Sequence, residues 1–134
     1  MGRRSKRRFS VPLPEYGSLR EVMVDHGLAA LGDAYVNFLY SLYLSRRNGR
    51  PLGSKVSGST LAKALKRAGL RGFLPSRTDR HKQADAAEAL IAYAWIMGVT
   101  STEEAISTLE GEETLEEAFA ALLKMIQERV QRIL

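Results

Sequence analysis

Between Leu28 and Leu44 the chain reads Leu-Ala-Ala-Leu-Gly-Asp-Ala-Tyr-Val-Asn-Phe-Leu-Tyr-Ser-Leu-Tyr-Leu. A helix of about four or five turns built from it is apolar on nearly every face, and the pattern predicts that it runs through the middle of a core rather than over its surface. Asp33 lies inside this run. A carboxylate buried without a partner costs on the order of several kcal/mol, so a residue so placed takes up a proton, meets a cation or holds a metal. The remainder of the sequence has to supply one of these.

With 134 residues the chain is long enough for one domain with its own core. It has no cysteine, which excludes disulfides, thiolate nucleophiles and cysteine-ligated zinc; His26 and His81 are its only histidines, so any metal has to be held by oxygen. The net charge of +5 is unevenly spread. Arg3, Arg4, Lys6, Arg7 and Arg8 crowd the N-terminus, whereas Glu103, Glu104, Glu110, Glu112, Glu113, Glu116 and Glu117 follow one another without an intervening base. Such asymmetry points to a polyanionic partner for one side of the molecule, although a solvated basic tail accounts for the arm alone. Residues 1–17, with Pro12, Pro14 and Gly17, are expected to form a flexible basic arm and residues 18–134 the folded domain. No apolar run reaches the roughly 20 residues of a membrane span, so a cytoplasmic protein is expected.

Ser18-Leu-Arg-Glu21 fits a capping box and predicts a short helix ending near His26-Gly27. The long helix then ends around Arg46 to Asn48, where Asn48-Gly49-Arg50-Pro51 turns the chain. Ser59-Thr60 is expected to cap a third helix carrying Leu61, Ala62, Leu65 and Ala68 on one face, with Gly69 as its stop. After a basic loop from Arg71 to Lys82, a fourth helix is expected from about Asp79 to Met97. Ser101-Thr-Glu-Glu104 and Thr114-Leu-Glu-Glu117 place a fifth helix near 101–109 and a sixth near 114–132. Nothing alternates with a period of two, so the fold class is all-α, a single-domain bundle of about six helices.

Asp85 and Glu88, three apart on the fourth helix, project from one face about a turn apart. Together with Asp33, and with Asn37 one turn beyond it, they are oxygen donors of the kind that holds a hard divalent cation. A solvated acidic pair, or pairing with Arg77, Arg80 or Lys82, explains the same spacing.

Three short motifs stand in a telling order. Leu28-Ala-Ala-Leu31-Gly32-Asp33-Ala34 and Lys82-Gln-Ala84-Asp85-Ala-Ala-Glu88-Ala89-Leu90-Ile91 are similar to the Leu-Glu-Phe-Leu-Gly-Asp-Ala and the second acidic motif of ribonuclease III domains. Between them, Val56-Ser57-Gly58-Ser-Thr60-Leu61-Ala62, followed by Gly69-Leu70 and Phe73-Leu74, is similar to the intervening helix. The resemblance covers about residues 25 to 98, and the short length looks most like the archaeal ribonuclease III-like proteins that lack a double-stranded-RNA-binding domain, with the Mini type as a comparison.

The resemblance implies a ribonuclease III-like helical domain that hydrolyses phosphodiester bonds in double-stranded or structured RNA. Asp33, Asp85 and Glu88 would be the catalytic ligands of Mg²⁺, or of Mn²⁺ in its place, and the chain would work as a homodimer. Lys55, Arg77, Arg80, His81 and Lys82 are the candidate RNA contacts, with Arg46, Arg47 and Arg50 behind them; for His81, which could also act as a base, a plain loop position is the favoured reading. Tyr35, Phe38, Tyr40, Tyr43 and Trp95 are expected in the core or at a dimer contact, and apolar surface from Leu39 to Leu44 would suit the latter. One departure bears on chemistry: Ala29 stands where the family has its first glutamate, which predicts weaker metal binding. Gly58 replaces an asparagine, and Ala92 a glycine that allows close helix packing. Two other readings remain, an RNA-binding domain that does not cut and a helical dimerisation scaffold.

Overall fold

The computed structural model describes residues 11–134. Among them the chain forms helices α1 (Leu19–Met23), α2 (His26–Asn48), α3 (Gly58–Arg67), α4 (Arg80–Ile96), α5 (Thr102–Glu110) and α6 (Leu115–Val130), with a 3₁₀ turn at Arg71–Phe73 and no strand. The all-α expectation holds. Residues 1–10, with most of the basic arm, lie outside the described residues. Residues 11–17 carry no helix, yet Val11, Leu13 and Tyr16 pack against the core and the Tyr16 ring meets Tyr93 edge-on.

Each helix opens on a side-chain oxygen that accepts an otherwise unpaired backbone N–H. Ser18 Oγ caps α1 by accepting from Glu21 N (3.3 Å), while the Glu21 carboxylate accepts from Gly17 N (2.9 Å), one residue short of a reciprocal box. Asp25, not the end of α1, determines how α2 begins. Its Oδ1 accepts from Leu28 N (2.9 Å) and its Oδ2 from the Tyr16 hydroxyl (2.7 Å), and these bonds hold its carboxyl below the usual carboxylate range. His26 and Gly27 therefore open the long helix rather than closing the short one. At its other end Gly49, in the left-handed region at φ 70°, terminates α2.

The third helix begins two residues earlier than expected, because Ser57 rather than Ser59 or Thr60 accepts from Thr60 N (3.0 Å). Ser101 caps α5 through Glu104 N, but the Glu104 carboxylate turns away to Arg129 (2.7 Å) and the Thr100 hydroxyl (3.1 Å), tying α5 to α6. Only Thr114 makes the full reciprocal box, accepting from Glu117 N (3.1 Å) while Glu117 accepts from Thr114 N (3.3 Å). Thr114→Ala is expected to lower stability by about 1 kcal/mol, measured by urea unfolding, with no change in m-value.

The helix that runs through the core is α4, not α2. From Ala84 to Ile96 every α4 side chain is buried except those of Asp85 and Trp95. Helices α1, α2, α3 and α6 surround it, and α5 packs on α2 and α6. Alanines at 84, 86, 87, 89, 92 and 94 make this possible, since short side chains let neighbours approach on all sides. Ala92 is among these buried residues, so the position resembling a family glycine accommodates a methyl group. Helix α2 instead lies at the periphery: Val36, Leu39 and Tyr43 face inward, while Leu31 (42% exposed) and Phe38 (55% exposed) face out. The apolar surface expected between Leu39 and Leu44 accordingly lies earlier on the helix.

Candidate active site

The site is built where α2 and α4 touch. A Cβ added at Gly32 would stand 2.1 Å from the Glu88 carbonyl oxygen and 2.4 Å from its carbonyl carbon, so only glycine permits this approach. The next residue along α2 is Asp33, and the residue of α4 that it faces is Glu88. Asp33, Asp85 and Glu88 line one open pocket together with His26, Ala29 and Ala30. The sequence candidates for the acidic centre are thus brought together by an α2–α4 packing that no spacing rule shows.

Their environments differ. Asp33 and Asp85 are exposed, while Glu88 is 8% exposed. Burial pushes the Glu88 carboxyl up to about 8; its hydrogen bond with Asp33 and the charges of Asp33 and Asp85 push the same way. None of the three acids joins an ion pair among the described residues. The pairing of these acids with Arg77, Arg80 or Lys82, which the spacing alone allowed, is not what the structure shows. Asn37 donates from Nδ2 to Asp33 Oδ1 (3.2 Å) and to the Asp33 carbonyl (2.9 Å), while its Oδ1 accepts from Val56 N (2.9 Å). It orients Asp33 and anchors the loop that carries Lys55.

Donor chemistry suits a hard cation, since all three acids offer oxygen and together they concentrate negative charge in a pocket open to water. Among the described residues, however, no three such side chains stand in a metal-holding arrangement. Asp33 already meets Glu88 through a hydrogen bond, and the exposed Asp85, one turn earlier on α4, has rotamers to spare.

The basic candidates fall into two groups. Arg80, His81 and Lys82 form the first turn of α4, so His81 is helical and exposed rather than in a loop. Three bases at a helix N-terminus run against its dipole, an arrangement that an arriving anion would offset. Arg77 and Lys55 are exposed in the loops beside α4 and α3. Arg46 and Arg47, by contrast, lie about 20 Å along α2 from Asp33. There Arg46 pairs with Glu110 (2.7 Å) and Arg47 donates to the Tyr43 hydroxyl (2.6 Å). Arg50 is exposed beyond that same end.

Two contributors escaped the sequence reading. Gly32 appears there only as a motif letter, and its close approach to Glu88 depends on tertiary packing. His26 lies seven residues before Asp33 and so on the same face of α2, a spacing that shows only once α2 is known to begin at His26 rather than after it. Of the aromatic candidates, Tyr43 is buried, Tyr35 and Tyr40 half-buried, and Tyr35 meets both Trp95 and the Thr102 hydroxyl (2.8 Å), while Phe38 faces solvent.

Comparison with protein families gives a match to the family described as Ribonuclease III over residues 26–132, and the chain belongs to that family. A comparison with curated proteins gave no match. The matched region takes in all three acids and every helix but α1. No helix among the described residues is long and apolar enough to cross a membrane.

Proposed function

We propose that this ribonuclease III-like domain is a divalent-metal-dependent endoribonuclease acting on double-stranded or structured RNA. The observation that carries this reading is the convergence of Asp33, Asp85 and Glu88 on one open pocket in a chain of that family. A bound Mg²⁺, or Mn²⁺ in its stead, would lower the pKa of an attacking water and offset charge on the scissile phosphate. Glu88 supplies the fixed, buried carboxylate. Asp33, oriented by Asn37, and Asp85 complete the donor set from the two helices. Arg80, His81 and Lys82 at the start of α4, with Arg77 and Lys55 alongside, hold the backbone phosphates of an A-form duplex, whose base edges are hidden in its deep groove.

The exposed stripe of Leu31, Ala34 and Phe38 on the outer face of α2 supports a homodimer, since residues seven apart share a face and such apolar surface favours association. A second copy docked there would extend the RNA-binding face.

The test is incubation of the protein with an end-labelled RNA duplex with and without Mg²⁺, beside Asp85→Asn. Asp85 is exposed, so this variant is expected to fold as the wild type does. Metal-dependent cutting that falls at least about 100-fold in Asp85→Asn is expected. Equal rates in the two proteins would remove Asp85 from the site. Salt-dependent binding without cutting would favour the second reading, an RNA-binding domain in which Ala29 has cost the site its metal.

A further inference from the structure

Beside the acidic pocket lies a second one of about 240 Å³, and His26, Ala29 and Asp85 line both. Met23 and Ala29 on one side and Leu74 and Pro75 on the other give it apolar walls, while the exposed bases Arg77 and Lys82 stand at its mouth. Neither base joins an ion pair among the described residues.

The walls are built in advance of any ligand. Arg71 donates to the carbonyls of Pro75 (3.1 Å) and Ser76 (2.8 Å), and Gln83 Nε2 donates to the Thr78 carbonyl (3.0 Å), so the loop between Leu74 and Thr78 is clamped at both ends. Asp25, also in the lining, has one oxygen on Leu28 N and the other on Tyr16, and both bonds fix its position. Apolar walls gain nothing from a phosphate alone, and a volume this small excludes a duplex. A single flat ring whose faces are apolar and whose attached phosphate meets two cations satisfies both features.

We infer that this pocket receives the base of one unpaired nucleotide of the RNA, with its phosphate on Arg77 and Lys82, next to the acidic centre. This rests on the RNA reading given above and narrows it to a substrate class: duplexes interrupted by an unpaired nucleotide. In a continuous duplex every base is stacked and paired, and one can enter only after unstacking at a cost of about a few kcal/mol. Ala29 is the residue that allows entry. It is buried at the boundary of the two pockets, where a longer side chain would project into the shared space.

Binding is measured by NMR titration of the full chain in EDTA with uridine 5′-monophosphate or adenosine 5′-monophosphate, beside ribose 5-phosphate and the free nucleosides. The monophosphates are expected to shift the resonances of Met23, Ala29 and Leu74 and to bind about tenfold more tightly than either half molecule. Ala29→Leu, which fills the pocket, is expected to weaken monophosphate binding at least about tenfold, and Arg77→Ser to reduce it toward that of the nucleoside. The second variant leaves the buried wall intact, so it reports even if the first fails to fold. Ribose 5-phosphate binding as well as the monophosphates, or shifts spread over the basic surface and absent from the pocket, would overturn the inference. In cleavage, a duplex with one unpaired nucleotide should be cut about fivefold faster than its fully paired counterpart. Equal cutting of both duplexes without monophosphate binding would sink this inference while sparing the endonuclease reading. Pocket binding without any cleavage would do the reverse.

Discussion

Glu88→Gln is expected to abolish metal-dependent cleavage while making the protein more stable at alkaline pH. The two effects share one cause. The Glu88 carboxyl, buried at the α2–α4 contact with Asp33 and Asp85 nearby, is raised to about 8 from an ordinary value of 4.5. The folded state therefore holds this proton more tightly than the unfolded chain does. Its stabilising contribution is fully present below about 4.5 and is lost as the pH rises through about 8. Between pH 5 and 9, without divalent ions, the wild type should lose on the order of 2 kcal/mol, less than the full shift would give because the pocket opens to water. Glutamine keeps the shape and never ionises, so in Glu88→Gln that loss should vanish. Urea unfolding at the two pH values measures it directly. If both proteins lose stability in parallel, Glu88 is not the group that ionises. Added Mg²⁺ should stabilise the wild type more at pH 8 than at pH 5, and the variant little at either, because only an ionised carboxylate attracts the cation.

Gly32→Ala is expected to destabilise the protein severely. Its Cβ would fall 2.1 Å from a backbone oxygen that belongs to a buried helix and cannot move aside alone. The two helices must separate, which costs about 3 kcal/mol or more in an interior packed to native density. Asp33 and Glu88 would separate with them, so cleavage should fall even below the melting temperature. Gly27→Ala is the control: it lies in the first turn of the same helix, where the added Cβ meets only Asp25 Oδ1 at 3.5 Å. That variant should be neutral or slightly stabilised, since alanine is the better helix former. A Gly32→Ala protein as stable as wild type would show that α2 and α4 do not touch as described.

Sequence spacing revealed the helices at the positions where chemistry is local. Serine, threonine and aspartate start helices through bonds that span three residues, and such bonds need no tertiary partner. Ser18, Ser101 and Thr114 were legible for that reason. Ser57 does not stand out as the cap because the run Ser57-Gly58-Ser59-Thr60 offers three hydroxyls, and which of them caps depends on where the loop anchored at Val56 by Asn37 delivers the chain. The exchange of roles between α2 and α4 has a different origin. Hydrophobicity rated Leu31 and Phe38 above alanine, whereas burial at the centre of this bundle is decided by size. The acids at 33, 85 and 88 were legible through their spacing and through resemblance to a family. The depth of Glu88 was not, because it arises from the Gly32 contact between residues far apart in the chain.

The alanine-rich core of α4 leaves the protein little room for gradual change. A helix lined by larger residues can trade one for another of similar bulk and let neighbours relax into the difference. Here half of the buried α4 positions already hold alanine, so any larger side chain there must push its neighbours apart, and any outward shift of α2 moves Asp33 away from Glu88. The geometry of the acids and the tolerance of the core to mutation are therefore one property. Variants selected for greater thermal endurance should accumulate on the outer faces of α2, α5 and α6, leaving the central helix unaltered.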